Sequence, residues 1–265
     1  MASYLPIVKV LESTNISVRG LGQVVVDPAT IEVGNNSVVA RCRVEGLRGY
    51  KAIKCYCSSQ HIEDIKGVSY YLQSLRVHDI SGRVEYVDVA ISRWIDGEPL
   101  DVLFDRGNSD FKALSRSFDA MALNHLKKGV IHGDIKPENI IVLRSGKMTL
   151  IDNDQLLQES VGNLKAKNYG TEHYVHRHRH IRRTDVNTDH YSLALQSAFL
   201  AAHVYNPTFL HERGTMESYI AKVVEILREN NDTAHYDLIV ASQRSIMGKV
   251  EGILELFQSI VVADE

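Results

Sequence analysis

The run Ile131-His132-Gly133-Asp134-Ile135-Lys136-Pro137-Glu138-Asn139 places an acid, a cation and an amide within six residues, bracketed by apolar stretches. Thirteen residues beyond Asn139, at the end of another apolar run, stands a second acid, Asp152. This inventory suits the transfer of a phosphoryl group. One carboxylate orients an attacking hydroxyl, a lysine steadies the moving group, and an amide with a second carboxylate holds Mg²⁺. A free aspartate is a weak base, so the first acid works mainly by positioning. A loose transition state demands little early deprotonation.

Such groups need elements to hold them. In the first third, Val38-Val39 and Lys51 to Tyr56 read as strands, and Tyr86 to Trp94 alternates through Val87, Val89 and Ile91. Between them, His61 to Leu75 reads as a short helix, and Gly97 and Pro99 then punctuate the chain. From Asn108, the residues Phe111, Leu114, Phe118, Met121 and Leu126 trace a helical stripe. Lys127-Lys128 suit its C-terminal dipole and Gly129 its stop. Strands are expected at Ile140 to Leu143 and Met148 to Ile151, with Arg144-Ser145-Gly146-Lys147 as the turn. Helices are expected over Asp189 to Val204, through Ile220, Val223, Val224 and Leu227, and through Val250, Ile253, Leu254 and Phe257. A strand-rich front and a helical back that meet near Gly97 predict an α+β protein of two lobes with a cleft between them. The small β-rich N-lobe is expected over 1–96 and the larger helical C-lobe over 97–265. About thirty residues at the start precede the patterned region; they add strands or a docking segment.

The 265 residues allow one large domain or two small lobes. Apolar and charged fractions of 44% and 24% are ordinary for a globular protein, and with a net charge of −3 nothing global argues for nucleic acid, which is not expected as a partner, or for a membrane surface. No apolar run is long enough to span a bilayer, and Met1 to Leu11 lacks the pattern of a secretory leader. Cys42, Cys55 and Cys57 are odd in number and lack the paired spacing of a zinc site, which fits a reducing compartment. Cys55 and Cys57 share one face of a strand and read as small buried hydrophobes, not as a redox or metal pair. The expected location is the cytoplasm, with no membrane attachment.

From about Gly34 to about Leu195 the chain resembles the protein-kinase superfamily, and Lys136-Pro137-Glu138-Asn139 resembles its Ser/Thr branch. The resemblance implies a bilobal kinase-like fold and ATP- and Mg²⁺-dependent transfer to a protein hydroxyl. It implies that Asp134 orients the hydroxyl and accepts its proton, that Lys136 contacts the transferred group, and that Asn139 and Asp152 ligate Mg²⁺. Lys51-Ala52-Ile53-Lys54 resembles the V-A-I-K strand, so Lys54 would meet the α- and β-phosphates and Ala52 would pack on adenine. Val39, fifteen residues upstream of Lys54, takes the place of the adenine-capping valine. Counting back from it puts Gly34 and Ser37 at glycine positions of the phosphate-covering loop. The hinge would run from Ser92 to Gly97, with Ser92 as gatekeeper. Trp94 and Ile95 would offer backbone hydrogen bonds to adenine, and Asp101 would reach the ribose. For Trp94, core packing is an equal reading. Thr171, in Gly170-Thr171-Glu172-His173-Tyr174, would approach Asp134 and Lys136. Asp189 would brace the catalytic-loop backbone.

The pattern also departs from the family. Gly34-Asn35-Asn36-Ser37 has one glycine where three are usual, although Asn permits a tight hairpin. Aligning Tyr71 to Leu75 with the end of the family's regulatory helix puts Val68 at the position of its glutamate. Glu63 and Asp64 lie a turn or more away. Asp152-Asn153-Asp154 replaces D-F-G, and Gly133 stands where many kinases carry an arginine that receives an activating phosphate. His176-Arg177-His178 replaces A-P-E. The His- and Arg-rich stretch from His173 to Arg183 reads as a docking surface for an acidic or phosphorylated protein, ahead of a metal site, with a solvated loop as the third reading. Three functions follow: a Ser/Thr protein kinase first, then a nucleotide-binding pseudokinase acting as an interaction module, then a small-molecule kinase.

Overall fold

The computed structural model describes residues 4–19, 21–34, 37–56, 71–78, 84–106, 109–152, 157–158, 186–209, 215–245 and 250–263. Its chain divides into two compact units, Met1–Ile95 and Asp96–Glu265.

The first unit is a curled antiparallel sheet with, among the described residues, one α-helix. Helix α1 (Leu5–Glu12) precedes strands β1 (Asn15–Arg19), β2 (Gly22–Val26), β3 (Glu32–Val33), β4 (Ser37–Val44), β5 (Lys51–Tyr56), β6 (Tyr71–His78) and β7 (Val84–Arg93). Strand order is β2-β1-β6-β7-β5-β4-β3, and β2 also pairs with β4. That extra pairing joins β1, β2, β4, β5, β7 and β6 into a closed ring, with Val24 to Val26 of β2 bonded along Val44 to Cys42 of β4. The interior follows from alternation. Ile16 and Val18, Val24 and Val26, Val38, Ala40, Cys42 and Val44, Ile53 and Cys55, and Val89 and Ile91 all point inward, and Ile7 and Leu11 of α1 join them. Residues 4–26, which precede the kinase resemblance, therefore complete this sheet. Tyr71 to Leu75, expected as the end of a helix, belong instead to β6, paired along β7 from Tyr71–Ile91 to His78–Val84. Tyr71 and Val77 favour an extended strand, and the long-range pairing with β7 fixes it. The rest of that expected helix lies outside the described residues.

The second unit begins with β8 (Gly97–Pro99), which pairs with β10 (Ile140–Leu143); β10 pairs in turn with β11 (Met148–Leu150). At Gly97 a Cβ would overlap the Val142 carbonyl oxygen, so this position demands glycine for close approach of two backbones. A two-stranded ribbon joins β9 (Val130–Ile131) to β12 (Leu157–Gln158). The helices are α2 (Leu100–Arg106), α3 (Phe111–Lys128), α4 (Val186–Tyr205), α5 (Met216–Glu229), α6 (Thr233–Arg244) and α7 (Ile253–Ala263). Helix α3 starts on the Asp110 carboxylate, which accepts the Ala113 N–H at 3.0 Å, and stops at Gly129 with φ +59°. From Asp189 to His203 every side chain of α4 except His190 is buried, so α4 is the central helix of this unit. Among the described residues no helix is long and apolar enough to cross a membrane.

Candidate active site

The candidate catalytic loop runs from the end of β9 to the start of β10, and its backbone is held by buried side chains. Asp189, at 1% exposure, accepts the N–H of His132 on Oδ2 (2.6 Å), the N–H of Gly133 on Oδ1 (2.8 Å), and His125 Nε2 on Oδ2 (2.9 Å). His132 is fully buried. Its Nδ1 accepts the Asp134 N–H at 3.3 Å, so the ring hydrogen lies on Nε2, which donates to the Ile151 carbonyl at 2.7 Å. One imidazole thus ties the start of the loop to the residue before Asp152. Gly133 has φ +83°, a conformation that a side-chain-bearing residue would adopt only under strain.

The candidate catalytic side chains converge on one carboxylate oxygen. Asn139 Nδ2 donates to the Asp134 carbonyl (2.8 Å) and to Asp134 Oδ2 (3.2 Å), and Lys136 Nζ lies 3.3 Å from the same Oδ2. A short 3₁₀ turn over Pro137–Asn139 makes this possible, because it returns Asn139 toward Asp134 within five residues. The Asn139 carbonyl then accepts the Ile151 N–H at 2.9 Å, which extends the β10–β11 ladder by one step. Asn139 and Asp152 are thereby brought to the same end of the hairpin. Asp152 is exposed, with φ +62°, and strained backbone of this kind is concentrated at functional sites.

The fit to Mg²⁺ rests on this donor set. Both hydrogens-bearing bonds of Asn139 go to Asp134, which leaves its amide Oδ1 as the atom that can face a cation. Asp152 supplies a carboxylate beside it. Two oxygen ligands suit an ion that keeps several waters and takes the rest of its shell from substrate phosphates. Among the described residues no three His, Cys, Asp or Glu side chains are grouped to hold a metal.

In the first unit, cross-strand register builds three rows on one outer face of β4, β5 and β7. Lys54 lies between Val39 and Ala90, and Ala52 between Arg41 and Ser92. Beyond them the Tyr50 carbonyl accepts the Trp94 N–H at 3.2 Å, and the Tyr50 hydroxyl accepts Arg43 Nη2 at 3.0 Å. Partners in register share a face, so Val39, Ala52, Lys54 and Ser92 are brought together. Lys54 Nζ lies 5.3 Å from the Tyr56 ring centroid. At the edge of this face, the Gly34 N–H donates to the Ser37 carbonyl at 2.9 Å.

A solved structure of the ROP18 kinase domain in complex with AMP-PNP and sucrose matches this chain with a TM-score of 0.57. The match covers 99% of this chain and 90% of that one at 14% sequence identity. The fold is that of a protein kinase. No family model matches the chain, and no curated protein matches it.

Within this kinase fold, Asp134, Lys136, Asn139 and Asp152 gather in the second unit, and Val39, Ala52, Lys54, Gly34 and Ser37 in the first. Asp101 sits in the first turn of α2, half-buried, and among the described residues no group donates to its Oδ1. Trp94 has its N–H engaged by Tyr50, and Ile95 ends the first unit. Thr171, the His- and Arg-rich stretch, Cys57, Val68, Glu63, Asp64, Asn153 and Asp154 lie outside the described residues. Cys42 and Cys55 are buried, and burial pushes the Cys42 thiol up to about 12, as expected of a packing residue. Sequence reasoning passed over His125, Arg41, Asp27 and Tyr50. The signal for Arg41 is its spacing of two from Val39, which puts both on one face of a strand. His125 has no local signal, because its partner stands 64 residues away.

Proposed function

We propose that this protein transfers the γ-phosphoryl group of ATP, with Mg²⁺, to a Ser or Thr hydroxyl of a protein substrate. The observation that carries the reading is the convergence of Lys136 and Asn139 on Asp134 Oδ2, on a loop whose backbone is clamped by Asp189. Preorganised groups of this kind stabilise charge in the transition state without reorganising at the moment of reaction. Asp134 orients the acceptor hydroxyl and takes its proton, and Lys136 neutralises charge on the moving phosphoryl group. Asn139 and Asp152 would hold Mg²⁺, which would supply positive charge to offset that of the nucleotide phosphates.

The first unit serves as the N-lobe and the second as the C-lobe. Lys54 meets the α- and β-phosphates, Ala52 and Val39 pack on the base, and Gly34 and Ser37 cover the phosphates. Ile95 and the Trp94 carbonyl side of the hinge address the base edge. The buried Asp101 Oδ1, which receives no donor among the described residues, supports a role toward ribose hydroxyls, since a buried acceptor without a donor is costly. Thr171 docks the substrate beside Asp134, and the basic stretch 173–183 recruits an acidic or phosphorylated protein. The cytoplasm supplies the nucleotide and the reducing conditions that an odd number of cysteines suits.

A second reading, a nucleotide-binding pseudokinase, is favoured by the single glycine of the phosphate loop. Its other support is weaker than the sequence suggests. The strand at Tyr71 to Leu75 removes the anchor by which Val68 was placed opposite Lys54. The deciding experiment incubates the protein with Mg²⁺, γ-labelled ATP and generic Ser/Thr substrates, beside Asp134→Asn. The parent is expected to transfer label, and the variant to lose roughly 10²- to 10⁴-fold in rate with an unchanged melting temperature. Nucleotide binding without transfer by the parent would establish the pseudokinase instead.

A further inference from the structure

On the outer face of β4, β5 and β7, the middle positions are small. Ala52 and Ser92 are half-buried and Ala90 is 3% exposed, so the face has a floor on which a flat ring can lie. Large side chains stand around it: Lys54 toward one end, Tyr50 and Trp94 toward the other, and Val39 and Arg41 along β4. Arg41 has no part in the reading above, although it is the direct cross-strand neighbour of Ala52.

Its position is unusually well defined for so long a side chain. Nε and Nη2 both donate to Asp27 Oδ2, at 3.2 and 2.6 Å, and this bond holds the Asp27 carboxyl below its ordinary range. Cζ lies 4.7 Å from the Tyr50 ring centroid and 5.9 Å from that of Trp94. Even so, the side chain remains 30% exposed. A planar cation is therefore fixed beside a floor of small residues, with part of its surface open. A guanidinium is weakly hydrated and stacks readily on π-faces.

We propose that Arg41 is a base-stacking residue of the nucleotide site, adding an affinity term that is the same for adenine and guanine nucleotides. The equality follows because every base presents a π-face, whereas edge recognition distinguishes one base from another. This inference rests on the nucleotide-binding reading above and adds to it a contact that Val39, Ala52 and Lys54 do not supply. Asp27 and Tyr50 act through Arg41, as positioning residues.

The test is calorimetric titration of the full chain with MgATP and with MgGTP, for the parent, Arg41→Met, Arg41→Lys and Tyr50→Leu. Arg41→Met is expected to weaken both nucleotides by the same factor, roughly tenfold. Arg41→Lys is expected to stay close to Arg41→Met, because a point charge does not replace the planar group. Tyr50→Leu keeps the Asp27 bond and should show a smaller loss of the same sign. Full restoration by lysine overturns the proposal in favour of a charge contact with phosphate. Loss confined to one base overturns it in favour of edge recognition. Unchanged binding by Arg41→Met in a parent that binds both nucleotides sinks this inference alone, whereas a parent that binds neither removes the nucleotide reading with it. If Arg41→Met fails to fold, Tyr50→Leu decides, and parental affinity there overturns the proposal.

Discussion

Asp189 occupies a buried position where each of its oxygens already serves a backbone N–H of the candidate catalytic loop, with His125 added on one of them. Replacing it by Asn would set an amide NH₂ against a donor that expects an acceptor. A buried donor left without a partner costs about 1–3 kcal/mol. We expect Asp189→Asn to lower the melting temperature and to reduce transfer, since the loop it holds carries Asp134; calorimetry beside the labelled-ATP assay would check both. Asp134→Asn should separate these effects by losing transfer alone. Gly133 adds a second lesson at this scale. Its replacement of the family's arginine reads in sequence as the loss of a phosphate receptor. The structure adds that the position has φ +83°, where any residue with a Cβ is strained by about 1–2 kcal/mol.

Between elements, one histidine joins three helices of the second unit. His235 near the start of α6 meets Asp119 of α3 at 3.2 Å through Nε2 and Asp232 at 2.9 Å through Nδ1, and Ser197 of α4 donates to the other Asp119 oxygen. Burial by itself would lower the affinity of this ring for a proton. The hydrogen bonds to Asp119 and then Asp232 outweigh it and raise the His235 pKa from 6.5 to about 9. The group holds its proton more tightly folded than unfolded, so its contribution is fully present below about 6.5 and is lost as pH rises through about 9. Asp232 shifts the other way: burial raises it, but the His235 hydrogen bond and charge lower it further, so its contribution fades only in acid. Urea unfolding at pH 6 and pH 10 should show a larger loss of stability in the parent than in His235→Gln, by a few kcal/mol. Equal losses would place the alkaline sensitivity elsewhere.

At the scale of the whole molecule, the first thirty residues matter more than their place outside the kinase resemblance suggests. Strands β1 and β2 bridge β6 to β4 and close the ring, and α1 contributes Ile7 and Leu11 to its interior. Removing residues 1–30 would expose edges of β4 and β6 along with the apolar interior, and unpaired edges template association. We expect the chain 31–265 to aggregate or to lose the β-sheet signal in circular dichroism. A monomeric, folded truncation by size-exclusion chromatography would show that the open sheet is self-sufficient. MgATP, if bound as proposed, should raise the melting temperature of the full chain with ligand concentration, by mass action.

What the amino-acid sequence determined by itself is local. The period of α3, its Asp110 and Gly129 caps, the β10–β11 hairpin and the tight sequence from His132 to Asn139 depend on residues a few positions apart, whose geometry is set by backbone sterics and short hydrogen bonds. The order of the motifs was enough to identify a kinase-like chain, and its fold bears that out. Other features depended on contacts between distant residues. The strand at Tyr71 to Leu75 was decided by pairing with β7, and the ring by the β2–β4 ladder. The brace at Asp189 joins groups 56 to 64 residues apart, and the seat of Arg41 was decided by Asp27, fourteen residues upstream. No sequence window contains both partners of such contacts. Their energy appears only when the chain has already brought its strands and helices together, so the tertiary structure alone decides them.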